Sequence, residues 1–254
     1  MKTTTKLVQC CALAVLLVGL IAPSAMAFCQ RMYIPSYFYP GALWDQADAA
    51  APIVDLMIMN PASGPGTSQN SDYVTAVQNA RNAGVKVLGY VHTSYGQRNI
   101  TTVKGEVDAY LGWYNISGIF FDEANTSAAG IAYYQNISNY TKMTAAPFVS
   151  LNPGTIPNPG YMNISDNVVI FEGTYSTYKN WASPSWASSF PSSKITHLVH
   201  ATSGTSKMND AITKSKNRNA GYVYVTNDVL PNPWDTLPSY WSSELTKINQ
   251  SSTC

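Results

Sequence analysis

Along this chain, short apolar runs alternate with longer polar segments in which apolar residues recur every three or four positions. The runs cover 32–39, 53–60, 85–91, 116–121, 147–151, 168–171, 195–201 and 221–226. They are rich in β-branched and aromatic residues and apolar at consecutive positions, which is how parallel strands covered on both faces read. Between them, 72–83, 101–114, 129–143, 178–190 and 207–219 carry helical spacing. Tyr73, Val77 and Ala80 share one face, as do Val103, Val107, Tyr110 and Leu111, so amphipathic helices are predicted. Asn82-Ala83-Gly84 ends the first with a glycine stop. A last helix is predicted over 234–250, with Trp241 and Leu245 on one side.

Eight strands with intervening helices predict a single α/β domain, a (β/α)8 barrel. An open doubly wound sheet is the alternative, but no G-x-G-x-x-G follows the first strand. Residues 1–27 stand apart from the pattern. Lys2 and Lys6 precede an apolar run over 10–21, and Ala25-Met26-Ala27 offers a cleavage site, the layout of a secretory signal. Phe28 is too bulky before Cys29 for a lipobox. The domain then spans 28–254, no later run is long enough to cross a membrane, and a secreted, extracellular or periplasmic monomer is expected. Export leaves two cysteines, Cys29 and Cys254, at the two ends of the domain. A closed barrel returns its last helix to the face where its first strand begins, so these two are expected to pair. On the chain-entropy model such a bridge stabilises by about 5 kcal/mol.

Composition narrows the function. Charged residues are only 11% of the chain and the net charge is +1, which excludes a nucleic-acid binder's basic surface. With 45% hydrophobic residues the chain is no disordered tail. Tyr (17) and Trp (6) are abundant, and their flat faces with polar edges suit either core packing or sugar rings.

In a barrel, chemistry sits where strands end. The residues closing the runs are Tyr37 and Tyr39, Asn60, Tyr90 to Thr93, Asp122 and Glu123, Asn152, Glu172, His200, and Asn227 with Asp228. Beyond 27 the chain has four glutamates. Glu106 and Glu244 fall in predicted helices and are expected to be solvated. Glu123 and Glu172 follow buried runs, where a carboxylate is costly unless paired or used. Facing carboxylates are what glycosidic cleavage requires, one protonating the leaving oxygen and the other attacking or activating water. Asp122 and Glu123 are strand neighbours, so only one faces the barrel axis directly. His92 and His200 lack metal-ligand spacing, and 60–66 is neither a phosphate loop nor a serine-hydrolase elbow, so no metal or cofactor is expected.

At these residues the chain resembles the spherulin-4 family. The resemblance rests on Tyr37-Phe-Tyr-Pro-Gly-Ala-Leu-Trp44, Asn60-Pro-Ala-Ser-Gly-Pro-Gly66, the segment 87–98, Gly118-Ile-Phe-Phe-Asp-Glu123 and Phe171-Glu-Gly-Thr-Tyr175. It implies a (β/α)8 barrel and an endo-acting hydrolase of glycoside hydrolase family 135, cutting α-1,4-linked N-acetylgalactosamine in exopolysaccharides of the galactosaminogalactan or Pel type. By that pattern Asp122, Glu123 and Glu172 are the acidic residues of the active site, with Asp122 as nucleophile or stabilising carboxylate, Glu172 as general acid/base, and Glu123 shaping the site or binding sugar. Tyr37, Tyr39, Trp44, Asn60, His92, Tyr95, Asn152, Tyr175 and Asp228 are the expected sugar-binding residues. A catalytically silent barrel that holds polysaccharide is the competing expectation. The spacing along the chain leaves retention or inversion open.

Overall fold

The structure is a computed structural model that describes residues 29–251. The expected signal segment, 1–27, and Cys254, and with it the expected Cys29–Cys254 bridge, lie outside the described residues. Eight parallel strands form a closed barrel in sequence order: β1 (Arg31–Ser36), β2 (Val54–Met59), β3 (Lys86–His92), β4 (Gly118–Asp122), β5 (Phe148–Leu151), β6 (Asn167–Thr174), β7 (Ile195–His200) and β8 (Tyr222–Val225). Pairing of Arg31 with Tyr222 and Met32 with Val223 closes the ring. Every apolar run from the sequence is one of these strands. Among the described residues no helix is long and apolar enough to cross a membrane.

Helices α1 (Ala42–Asp48), α2 (Ser71–Ala83), α3 (Ile100–Trp113), α4 (Ile131–Lys142), α5 (Tyr161–Ile164), α6 (Tyr175–Tyr178), α7 (Thr205–Asn217) and α8 (Trp241–Ser251) surround the barrel. Asn70 and Asn99 cap α2 and α3 by accepting the N–H groups of Asp72 and Thr101. Gly84 ends α2 in the left-handed region, as its sequence position predicts. Two predicted helices are corrected. The segment 178–190 is only the end of α6 followed by a 3-10 turn, Ser185–Ser189, because Pro184 starts that turn and Pro191 follows it. Its aromatics pack instead of coiling: Trp181 stacks on Tyr178, and the Arg218 guanidinium lies over both rings. The predicted helix over 234–250 starts at Trp241, after Pro238 accepts its N–H.

Two features set the position of the strand ends. Gly118, at the base of β4, pairs with Phe148 of β5 so closely that a Cβ there would lie 2.0 Å from the Phe148 carbonyl oxygen. Inside the barrel, polar groups interlock. Tyr33 Oη donates to Ser150 Oγ (2.7 Å), and Ser150 Oγ (3.2 Å) and Thr196 Oγ1 (2.8 Å) both donate to Asn167 Oδ1. These groups are fully buried, and satisfied buried networks fix one arrangement of the strands that carry them.

Candidate active site

Asp122 ends β4, Asn152 follows β5, and Glu172 lies near the end of β6, so three successive strands deliver them to one mouth. The Asn152 side-chain nitrogen donates to Asp122 Oδ1 at 2.8 Å and to Glu172 Oε2 at 2.7 Å. Its own carbonyl oxygen accepts the Gly154 N–H, which fixes which way the amide points. Both carboxyl oxygens touch one nitrogen, so they are at most about 5.5 Å apart, within the spacing of retaining glycosidases. Asp122 thus faces the axis, and Glu123 turns aside.

The two acids differ in their donors. Asp122 accepts from the Asn152 amide, and the Tyr90 hydroxyl and the Glu123 backbone N–H also favour its anion; burial nevertheless pushes its pKa up. Glu172 accepts from Asn152, and the Trp234 indole beside it in the cleft also favours its anion. Burial first, and then the Asp122 charge, push Glu172 up to about 7. Three donors favour the anion on Asp122, so the pair holds its last proton on Glu172 near neutrality. Burial and the Asp122 charge also hold the Tyr37 hydroxyl well above its ordinary value, so it stays a neutral donor. The Tyr37 and Tyr90 rings meet edge to face at 5.6 Å.

A cleft of about 460 Å³ opens beside Glu172. It is lined by Tyr37 after β1, Asn60 to Ser63 after β2, His200 at the end of β7, and Leu230 to Trp234 after β8. Asn60 shapes its own loop by accepting the Gly64 N–H. His200 is neutral, since burial lowers its pKa, and its ring meets Trp234 edge-on.

On the other flank, Glu123 adopts a left-handed φ of 53°. Its carboxylate accepts the Ser94 N–H and lies 3.6 Å from His92 Nδ1. Tyr95, 59% exposed, is bound into the same corner by donating its N–H to the Glu123 carbonyl.

Four expected sugar contacts are placed elsewhere. Trp44 is 1% exposed, with its indole N–H on the Phe38 carbonyl, so it is core. Tyr39 is exposed but leans on α2, where its hydroxyl donates to Asp72. Tyr175 starts α6 and donates to Asp210 of α7. Asp228 does not line the cleft; it accepts the Val229 N–H and faces Asp235. The expected solvation of the two helical glutamates is also corrected. Glu106 is an ion-pair partner of Arg98. Glu244 is fully buried, accepts the Val225 N–H at the end of β8, and is held protonated by burial. Trp234 is the residue that the sequence reading missed; its Pro-Asn-Pro-Trp context marks a loop, and assigning it to a helix hid it. Tyr90 and His200, recognised as strand ends, join the site too. Among the described residues, no group of three or more His, Cys, Asp or Glu could hold a metal ion.

A family model, spherulation-specific family 4, matches residues 31–248. The chain belongs to the spherulin-4 family. Spherulin-4 of Physarum polycephalum is 40% identical over 233 residues, which is 86% of this chain and 70% of that relative. Among solved structures, Sph3 of Aspergillus clavatus, crystallised in complex with GalNAc, has a TM-score of 0.76 at 24% identity, covering 89% of this chain and 99% of its own. The spore cortex-lytic enzyme SleL of Bacillus cereus gives 0.56 at 11% identity, over 88% and 75% of the two chains. At these identities the likeness is one of fold, the closed (β/α)8 barrel.

Proposed function

We propose that this member of the spherulin-4 family is a secreted endo-acting glycoside hydrolase that cleaves α-1,4-linked N-acetylgalactosamine in exopolysaccharide. The observation that carries the reading is the Asp122–Asn152–Glu172 arrangement: two carboxyl groups whose bridged oxygens are at most about 5.5 Å apart, one poised to hold a proton near neutrality. The spherulin-4 relationship and the GalNAc bound to Sph3 support the sugar.

The geometry fits double displacement with retention. Asp122 Oδ attacks the anomeric carbon as the glycosidic C–O bond breaks, and Glu172 gives its proton to the departing oxygen. Water then attacks the glycosyl-enzyme carbon, Glu172 takes its proton, and the bond to Asp122 breaks. Tyr90 and Asn152 hold Asp122 in place, and the Trp234 indole orients Glu172. Digestion of purified galactosaminogalactan with mass spectrometry of the products tests the reading. Oligosaccharides of several lengths with newly formed reducing ends are expected. Binding of the polymer with no cleavage would make the protein a matrix-holding barrel instead.

A further inference from the structure

The cleft beside Glu172 draws its lining from the ends of β1, β2, β6, β7 and β8. None comes from β3 or β4. An enzyme that cuts within a chain must hold sugars on both sides of the scissile bond, so the other side of the carboxylate pair falls to the β3 and β4 ends. Glu123 and Tyr95 stand there.

We propose that Glu123 and Tyr95 form a subsite for a hexosamine carrying a free ammonium group, a proposal that rests on the glycosidase reading above. Glu123 is not absorbed by the catalytic pair: Asn152 bridges Asp122 and Glu172 without it. Its side chain is 41% exposed. One oxygen, Oε2, accepts the Ser94 N–H at 3.1 Å and faces His92; the other accepts no hydrogen bond from any described residue. The nearby cation Arg98 feels the Glu123 charge but is ion-paired with Glu106, and among the described residues no lysine or arginine makes an ion pair with Glu123.

The corner is also built at conformational expense. Ser94, Tyr95 and Glu123 all take left-handed φ values, 46°, 56° and 53°, which non-glycine residues rarely adopt. Thr93 Oγ1 donates to the Glu123 carbonyl at 2.9 Å, and Asn125 Nδ2 donates to the Tyr95 carbonyl at 3.2 Å, holding the turns together. Strain of this kind persists where a surrounding network over-determines it, and it gathers at functional sites. The result is an anion with a free lone pair on a residue whose backbone carbonyl accepts the N–H of an exposed tyrosine, Tyr95. An acetamido N–H can also donate to a carboxylate, but it brings no charge to pair with it. An ammonium satisfies both the carboxylate and a ring face.

The test compares a fully N-acetylated α-1,4-galactosaminan with the same polymer partly de-N-acetylated. Wild type is expected to favour the second by about tenfold in kcat/KM at low salt, a preference that high salt screens. In Glu123→Gln this ratio should fall to about one, and in Tyr95→Ala about halfway. Tandem mass spectrometry of wild-type products should find free-amine residues at a fixed position from the cut, scrambled in Glu123→Gln. Equal use of both polymers by wild type, or an unchanged ratio in Glu123→Gln, overturns the subsite. If neither polymer is cut, the glycosidase reading fails on its own. The subsite is then decided by calorimetric binding of galactosamine oligomers against their N-acetylated forms to wild type and Glu123→Gln: the same tenfold preference, lost in the variant, upholds it, and equal affinity overturns it.

Discussion

Replacing Asp122 by Asn removes a negative charge and leaves the volume, which makes Glu172 a reporter of how strongly the two acids are coupled. Their nearest oxygens are held by one amide nitrogen at 2.8 and 2.7 Å, so the charges sit about 5 Å apart. At an effective dielectric of about 20, two unit charges at that distance repel by about 3 kcal/mol, or roughly two pKa units. Burial contributes more than this charge to the rise of Glu172 from 4.5 to about 7, so part of the rise should survive. A fall of one to two units, to roughly 5 to 6, is expected in Asp122→Asn. The assay is carbon-detected NMR titration of the glutamate carboxyls; the chain has only four glutamates, and Glu172→Gln identifies the resonance. Hydrolysis by Asp122→Asn should also drop by at least about a hundredfold. If Glu172 titrates within about 0.3 units of wild type in the variant, the charges are not coupled as the geometry requires and the acid/base assignment fails.

Glu172→Gln should lose activity yet gain stability at alkaline pH. The folded-state pKa is raised from 4.5 to about 7, so the native state binds more protons and stability declines as pH rises through that window. Removing the group should recover up to about 3 kcal/mol above pH 7 and nothing below pH 4, read from urea unfolding at the two pH values. Trp234→Phe deletes the indole donor to Glu172; the alkaline limb of the pH–rate profile should move upward, and a downward shift would assign the indole another role. Trp44→Ala should destabilise by about 3–5 kcal/mol in thermal unfolding with no selective loss of substrate affinity, because its ring is core rather than cleft. Cys29 and Cys254 should be oxidised in the secreted protein, and a thiol assay that finds two free sulfhydryls would remove the bridge.

The barrel was legible in the sequence because buried parallel strands leave uninterrupted apolar runs, and all eight did. The acids were legible for the same reason, since Asp122 and Glu172 close such runs and a carboxylate rarely does so idly. Aromatic residues gave no comparable signal: Trp44, Tyr39 and Tyr95 look alike in sequence, but one is core, one braces α2 and one is exposed at the mouth. Trp234 was hidden because its contact with Glu172 is made by a proline-rich loop whose path periodicity cannot trace. Glu244 was legible in retrospect. It lies three residues after Trp241 and four before Ile248, on the apolar face of α8, where a solvated carboxylate does not belong.

The contact at Gly118 ties reactivity to the far end of the barrel. Asp122 and Asn152 stand on adjacent strands, and the gap between those strands is set where the backbone at Gly118 presses on Phe148. Any side chain there would wedge β4 from β5, and a lateral shift of a fraction of an ångström at the base would stretch the amide bridge at the top. Drift in sequence at a position remote from the carboxylate pair would thus disable the proposed chemistry while sparing the barrel. Descendants of such a chain that keep both acids but have replaced this glycine are where a polysaccharide-holding barrel without hydrolytic activity should be sought.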